Sequence, residues 1–433
     1  MKDDKFFWSY EKQPGKVLNK NYIKDFDGRP LISIITSYYN SQEFMWQTIN
    51  CVLNQTFPYW EWIIVDDGST DEKAIEYLEN VAKIDSRIKI YHKENEGLAK
   101  GRDYAIKYST TDYILPLDAD DLIEPTYIET LYWALETNKQ ATWAFTNSLG
   151  FGKYIYLVDQ DFDSEKMKTE NQITATALIR KQKILDLGGY GVAKKYVNED
   201  WHLWLRMLAN GDYPVQVAYY GFWYRRRNVS LLSQINDDKK KENELRLKDL
   251  RTEADKITKK VEAIIYPTKN ENSQKLQYNK LEWNNVKFPV NSENTILYIL
   301  PQICCDKKIF KEIKKNSRNS NIIIISMENA EHSQYVFRQK YEEFATVFNL
   351  TTFLDKKYYL GFIEYMIETR KINKIIMADN KYKNDIQEMF KITSNIAYNE
   401  NDFLYNWKIL IYKLNHTLVG RAIRKLIRLI KNK

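Results

Sequence analysis

Short apolar runs alternate with amphipathic stretches through the first half of the chain. Residues 31–36, 60–65, 88–91 and 113–117 are runs rich in Ile, Leu, Val and aromatics, and each reads as a buried strand. Between them, residues 42–54 place Phe44, Ile49, Val52 and Leu53 at near-helical spacing, and 71–82 and 99–108 also read as helices. Strands that alternate with short helices predict a mainly parallel, doubly wound α/β sheet. The pattern continues with a helix over 127–136 and a strand over 142–149. After the turn-rich Gly188-Gly189-Tyr190-Gly191, Asn198 is the expected N-cap of a helix with Trp201, Trp204, Leu205 and Leu208 on one face.

Past residue 235 the pattern breaks. Residues 236–262 are dense in Lys, Glu and Asp and read as a solvated helical linker, part of a charged stretch over 236–290. Three more strand candidates then appear at 295–300, 321–326 and 372–377, which predicts a second, smaller Rossmann-like α/β domain over 291–400. With a polar N-terminal extension over 1–29, the first domain spans 30–235 and a basic tail occupies 401–433. No acidic pair, Gly-rich phosphate loop or His cluster marks the second domain, so docking or scaffolding is its expected role.

A chain of 433 residues can bury more than one core. Its three cysteines, Cys51 and the adjacent Cys304 and Cys305, fit a reduced, cytoplasmic setting better than a disulfide framework. The first residues, Met-Lys-Asp-Asp, lack the apolar core of a signal peptide, and no stretch approaches the roughly twenty apolar residues that span a bilayer. Net charge is +7, unevenly spread. In the tail, Val419, Ile423, Leu426, Ile427 and Ile430 share one helical face while Arg421, Arg424, Lys425 and Arg428 take the other, the pattern of a helix lying on an anionic membrane surface. Packing against another helix, or dimerisation, is the competing reading. Nucleic acid fits less well, because the bases lie opposite an apolar stripe without interleaved aromatics.

The candidate chemistry is acidic. Two apolar runs end in clustered carboxylates: Ile63-Ile64-Val65-Asp66-Asp67-Gly68-Ser69 and Leu115-Pro116-Leu117-Asp118-Ala119-Asp120-Asp121. Ligands of open α/β sheets bind beyond the carboxyl ends of the strands, so Asp66, Asp67, Asp118 and Asp120 are expected to converge on one crevice. In extended structure the two acids of Asp-Ala-Asp share a face, and their repulsion is relieved by a cation. Acidic turns are also ordinary turn chemistry, and either cluster alone carries little weight.

Taken in order, these motifs resemble the inverting family-2 glycosyltransferases of GT-A fold over residues 30–232. The opening Ser33-Ile34-Ile35-Thr36-Ser37-Tyr38-Tyr39-Asn40 is similar to the family's first strand and turn, with Ser37 where the family usually has proline. The resemblance implies that Tyr39 and Glu43 contact the base or ribose of a nucleotide, and that Asp66 and Asp67 belong to the loop that reads uracil, hence a UDP-sugar donor. Asn95-Glu96-Gly97 and the later Ala99-Lys100-Gly101-Arg102-Asp103 resemble the next element, with Gly101 and Asp103 as departures. The resemblance places Gly97 at the donor and Arg102 near the ribose or diphosphate, or as a buttress of the acidic loop.

Asp118-Ala119-Asp120 occupies the family's Asp-x-Asp position, which implies Mn²⁺ or Mg²⁺ held chiefly by Asp120, with Asp118 assisting. Glu199-Asp200 matches the family's acid pair at a helix start, with Asp200 as the implied general base; the competing reading is that both acids complement the helix dipole. In Tyr224-Arg225-Arg226-Arg227-Asn228-Val229-Ser230, Arg227 stands where relatives often carry a metal-binding His, and an arginine grips phosphate instead of a cation. The C-terminal domain loosely resembles one half of a GT-B glycosyltransferase.

The resulting expectation is a metal-dependent glycosyltransferase on the inner face of the cell membrane. It would add a sugar to a glycan or lipid-linked glycan in bacterial cell-surface polysaccharide synthesis, as a monomer or homo-oligomer. A nucleotidyltransferase, or a catalytically silent sugar-nucleotide-binding scaffold, are the alternatives.

Overall fold

A computed structural model describes residues 10–19, 22–191, 198–228, 240–268, 275–283, 294–303, 307–328 and 334–396. The tail over 418–433 expected to meet a membrane lies outside the described residues. None of the described helices is long and apolar enough to cross a membrane.

The predicted alternation is observed. β1 (Ile32–Tyr38), α1 (Gln42–Leu53), β2 (Trp60–Asp67), α2 (Glu72–Val81), β3 (Ile88–Lys93), α3 (Leu98–Tyr108) and β4 (Tyr113–Pro116) follow one another. Next come β5 (Leu122–Ile123), α4 (Tyr127–Glu136), β6 (Trp143–Gly152), β7 (Tyr156–Val158), α5 (Ser164–Met167), β8 (Leu178–Arg180) and α6 (Lys181–Asp186). α7 (Glu199–Ala209), β9 (Pro214–Arg226), α8 (Lys240–Asp255) and β10 (Ile264–Ile265) complete the first unit. Its sheet runs β10-β9-β6-β8-β4-β1-β2-β3, with β5 on β9 and β7 on β6. Pairing is parallel from β4 through β1 and β2 to β3, and β8 runs antiparallel between β4 and β6. The sheet is mainly parallel, and strand order reverses around β1, so the carboxyl ends of β1, β2 and β4 open on one crevice.

Both faces of the central strands are covered, which explains why β2 carries the apolar run Trp62-Ile63-Ile64-Val65: all eight of its residues are buried, and Glu61 is buried against Lys89. The second unit contains β11 (Thr295–Leu300), α9 (Lys307–Asn316), β12 (Asn321–Ser326), α10 (Gln334–Glu342), β13 (Thr346–Asn349), α11 (Tyr359–Thr369), β14 (Ile372–Ala378), α12 (Lys383–Met389) and β15 (Ser394–Ile396). Its five strands are all parallel, in the order β13-β12-β11-β14-β15.

The charged stretch differs from its expectation as a solvated linker. α8 buries Leu250 and Ala254, and with Ile257 they join the apolar cluster that contains Leu203, Trp204 and Leu208 of α7. β10 then pairs with β9 in the first sheet, so the first unit continues to residue 265. A single apolar stripe on an otherwise charged helix is enough to dock it.

The two units share a polar seam under α4. Arg338 of α10 donates to the Thr126 hydroxyl at 3.1 Å and lies over the Tyr219 ring at 3.9 Å. Close by, the buried Glu124 accepts from the Trp223 indole at 2.8 Å. Burial and then the negative charge of Glu342 push Glu124 up from 4.5 to about 8, against Trp223 and Arg338. A carboxyl that keeps its proton in the fold and loses it when unfolded makes stability fall as pH rises from about 4.5 through about 8. Glu124→Gln is expected to flatten that slope and to raise stability relative to wild type above this window, read as urea midpoints across the pH series. Equal slopes in the two proteins would refute the assignment.

Candidate active site

The β1–α1 and β2–α2 turns are tied together. Asn40 accepts from the amides of Thr70 and Asp71, at 3.0 Å each, through its side-chain oxygen. Beside this turn Tyr39 is 46% exposed, and Glu43 is exposed in the first turn of α1. Both are open to a ligand. Asp66 and Asp67 are not. Asp66 accepts from the Ser69 amide at 2.9 Å and pairs with His92 Nδ1 at 3.0 Å. Asp67 accepts from the amides of Glu96 and Gly97 at 3.0 and 2.7 Å and from Lys93 Nζ at 2.8 Å. Expected to read a base, these carboxylates shape the β3–α3 loop, and Gly97, at φ 97°, starts α3 there.

Gly101 and Ser37 explain each other. α3 crosses β1 so closely that a Cβ on Gly101 would come within 2.8 Å of the Ser37 Cβ. The residue of α3 that faces Ser37 therefore has no room for a side chain. Asp103 accepts from the Tyr190 amide at 2.8 Å, which holds the Tyr190 ring 5.5 Å from the Arg102 guanidinium.

Arg102 is the centre of the site. Its side chain is 1% exposed, and it donates to Asp118 Oδ1 at 2.7 Å and to Glu199 Oε1. Burial disfavours its charge, but Asp118 and Glu199 outweigh burial and hold it well above the ordinary arginine range. A buried guanidinium needs such a pair of acids. One side chain thereby links the loop after β4 to the start of α7. Burial, resisted by Arg102, pushes Glu199 to about 7. Asp200 is also raised by burial, and Arg102 and a 3.0 Å hydrogen bond from Asn171 Nδ2 oppose the shift. Asp118 acts electrostatically on both Asp120 and Asp200, so the two acidic motifs lie in one field.

The helix start itself departs from expectation. Asn198 sits at the N-cap position of α7 with φ 68°, but its side chain does not cap the helix; it accepts from Arg246 of α8. The first-turn carboxylates take over that end, with the Trp201 amide against Asp200.

The turn after β4 is pinned from below. The Thr48 hydroxyl lies 3.0 Å from the Ala119 carbonyl and 2.9 Å from that of Asp121. Asp121 accepts from the Arg225 amide at 2.8 Å, and Arg225 Nε donates to the Asp120 carbonyl at 2.7 Å. Arg227 Nε then donates to Asp120 Oδ2 at 2.6 Å, and Nη2 forms the ion pair with the same oxygen at 2.6 Å. Burial raises Asp120 against that guanidinium, and the Asp118 charge adds to the rise.

Asp118 and Asp120, expected as ligands of Mn²⁺ or Mg²⁺, therefore have arginine partners. Among the described residues no group of three or more His, Cys, Asp or Glu is arranged to hold a metal ion. A dication held by Asp120 would gain that carboxylate's attraction but stand about 4 Å from a guanidinium, a repulsion of roughly 8 kcal/mol at an effective dielectric near 20 that a site with free carboxylates does not carry. As arranged, the residues do not fit a divalent ion.

Sequence reasoning missed Asn171, Tyr190, Arg225 and the structural role of Asp121. Arg225 and Asp121 stood inside quoted motifs, next to residues that drew attention. Asn171 had no local signal: it reaches Asp200 because Trp201 Nε1 donates to the Met167 carbonyl at 2.7 Å and draws the loop after α5 onto α7.

Residues 33–147 match the model of glycosyl transferase family 2. The chain is 43% identical over 94 residues to the putative teichuronic acid biosynthesis glycosyltransferase TuaG of Bacillus subtilis, covering 22% of this chain and 37% of that protein. It is 32% identical over 143 residues to the glycosyltransferase GlyG of Streptococcus pneumoniae, covering 32% of this chain and 47% of that one. It spans less than half the length of each of these relatives. The crystal structure of S. aureus TarS 1-349 in complex with UDP-GlcNAc superposes with a TM-score of 0.40 at 19% identity, over 47% of this chain and 61% of that one. The segment that carries both strand-end acidic loops, residues 33–147, is a glycosyl transferase family 2 domain.

Proposed function

We propose that the chain is an inverting glycosyltransferase that moves a sugar from a UDP-sugar to a hydroxyl of a glycan or lipid-linked glycan, in bacterial cell-surface polysaccharide synthesis. The observation that carries this reading is Arg102, which joins the Asp118 loop to the Glu199-Asp200 helix start in one buried ion-pair chain. Donor-side and acceptor-side chemistry must face each other across a single reacting carbon, and that chain sets their separation. The family match over 33–147 and the teichuronic acid assignment of TuaG support the reaction class and the polysaccharide setting.

In this reading Asp200 is the general base. Direct displacement with inversion requires one carboxylate to take the acceptor hydroxyl's proton on the face opposite the leaving group, and no covalent enzyme intermediate. Asn171 Nδ2 donates to Oδ2 of Asp200 and orients the carboxylate that takes that proton. Glu199 does not serve as the base, because it is buried and spent on Arg102; it positions. Tyr39 and Glu43, the exposed pair beside the β1–α1 turn, are offered to the nucleoside, an aromatic face for the base and a carboxylate for ribose hydroxyls. Gly97 keeps the backbone open at that edge, while Asp66 and Asp67 hold its shape.

The test is release of UDP from a panel of UDP-sugars offered with glycan and lipid-linked acceptors. One sugar is expected to give acceptor-stimulated UDP with no pyrophosphate. Release of UDP from none of them would overturn the reading, and release of pyrophosphate from a nucleoside triphosphate would replace it with nucleotidyl transfer.

A further inference from the structure

Four arginines surround the turn after β4, and they are in different states. Arg102 is buried and committed to Asp118 and Glu199. Arg225 is stacked 4.2 Å from the Phe44 ring and 4.5 Å from that of Phe151, with Nε on the Asp120 carbonyl and Nη2 on Gln47. Arg226 lies over the Tyr224 ring at 5.2 Å, on the other side of the strand end. Arg227 differs from all three. Its side chain is 32% exposed, Nε and Nη2 both converge on Asp120 Oδ2, and Nη1 has no hydrogen-bond partner among the described residues. Phe44 lies 5.2 Å from its guanidinium and supports its orientation.

We propose that Arg227 is the built-in cation of the donor site: it neutralises Asp120 and presents Nη1 to the nucleotide's diphosphate, so that nucleotide binding needs no divalent ion. This rests on the nucleotide-sugar reading above and deepens it. Each acid of Asp118-Ala119-Asp120 already has a guanidinium partner, Asp118 in Arg102, which it shares with Glu199, and Asp120 in Arg227. A metal on the remaining oxygen of Asp120 would have to share that carboxylate with the guanidinium and meet its positive charge. A guanidinium is well suited to the task, because it cannot be deprotonated and its fork accepts a carboxylate on one edge and a phosphate oxygen on the other. When the sugar leaves, the negative charge that gathers on the diphosphate meets Arg227 in place; no proton moves at this residue.

The experiment is UDP binding by titration calorimetry, for the wild type and for Arg227→His, in excess EDTA and in Mn²⁺. Wild-type affinity is expected to change by less than about threefold between the two conditions. Arg227→His is expected to bind at least about tenfold more weakly in EDTA and to recover in Mn²⁺, because an imidazole ligates the ion that a guanidinium excludes. Wild-type binding that requires Mn²⁺ would overturn the inference and leave the nucleotide reading intact. So would an Arg227→His protein that binds equally well in EDTA. Failure of the wild type to bind UDP in either condition would overturn the nucleotide reading, and this inference with it. If Arg227→His does not fold, the wild-type comparison decides alone.

Discussion

Asp200→Asn is expected to lower turnover by about 10²- to 10⁴-fold while UDP affinity stays within about threefold of wild type. The substitution keeps the shape of the side chain and an oxygen to accept from Asn171 Nδ2, so the loop after α5 stays docked. What it removes is the site for the acceptor's proton. Because burial raises Asp200 above the ordinary aspartate range, the acid limb of the wild-type rate profile should also lie above that range. Turnover must fall as pH drops through this limb, since the protonated carboxyl cannot accept. Steady-state rates with the best UDP-sugar, paired with calorimetric UDP binding, make the measurement. A variant that keeps more than about a tenth of wild-type turnover would remove Asp200 from the role of base. A scaffold protein would lose nothing.

Much of this site was legible in the chain because it is local. Strand-end acids, a helix opening on Glu199-Asp200 and the run around Arg227 all appear as short motifs, and period-two and period-3.6 patterning places them at strand ends and a helix start. What the motifs did not show is who their partners are. Arg102 read either as a residue near the ribose or diphosphate or as a buttress of the acidic loop. It is buried between Asp118 of that loop and Glu199, two acids that are far apart in sequence, and only the fold brings them together. Asp66 and Asp67 read as ligand groups, yet Asp66 is taken up by the Ser69 amide and His92, and Asp67 by backbone amides of a loop about thirty residues on.

The same limit applies to departures from the family pattern. Ser37 and Gly101 looked like two unrelated deviations. α3 packs so closely on β1 that the two positions form one contact, in which a Cβ on Gly101 would collide with the Ser37 side chain. The charged segment failed for a different reason. Mean composition dominated the reading of 236–262, whereas a few apolar side chains, Leu250, Ala254 and Ile257, decide whether a helix docks.

The largest loss of stability is expected from the seam between the two units, at Glu129. This α4 residue is fully buried and accepts from Thr56 Oγ1 at 2.6 Å, from the Tyr365 hydroxyl at 2.7 Å and from Arg370 Nη2, so three segments of the chain meet on one carboxylate. Apolar contact surrounds it, with the Trp133 and Tyr365 rings edge to face at 4.9 Å. Glu129→Ala leaves the Arg370 guanidinium buried and without its anion, which costs about 3–5 kcal/mol, more than a cavity of that size alone would. The double substitution Glu129→Leu with Arg370→Met should recover most of that loss, because replacing both charges removes the desolvation cost together with the attraction. Urea midpoints for Glu129→Leu, Arg370→Met and the double variant form the cycle, with Glu129→Ala measured beside them. Single variants within about 1 kcal/mol of wild type would mean that the pair is hydrated and that apolar packing alone holds the units together. Since α4 begins at Tyr127, a few residues after the pinned Asp118–Asp121 turn, the same variants should weaken UDP binding if the second unit braces the donor loop through this helix.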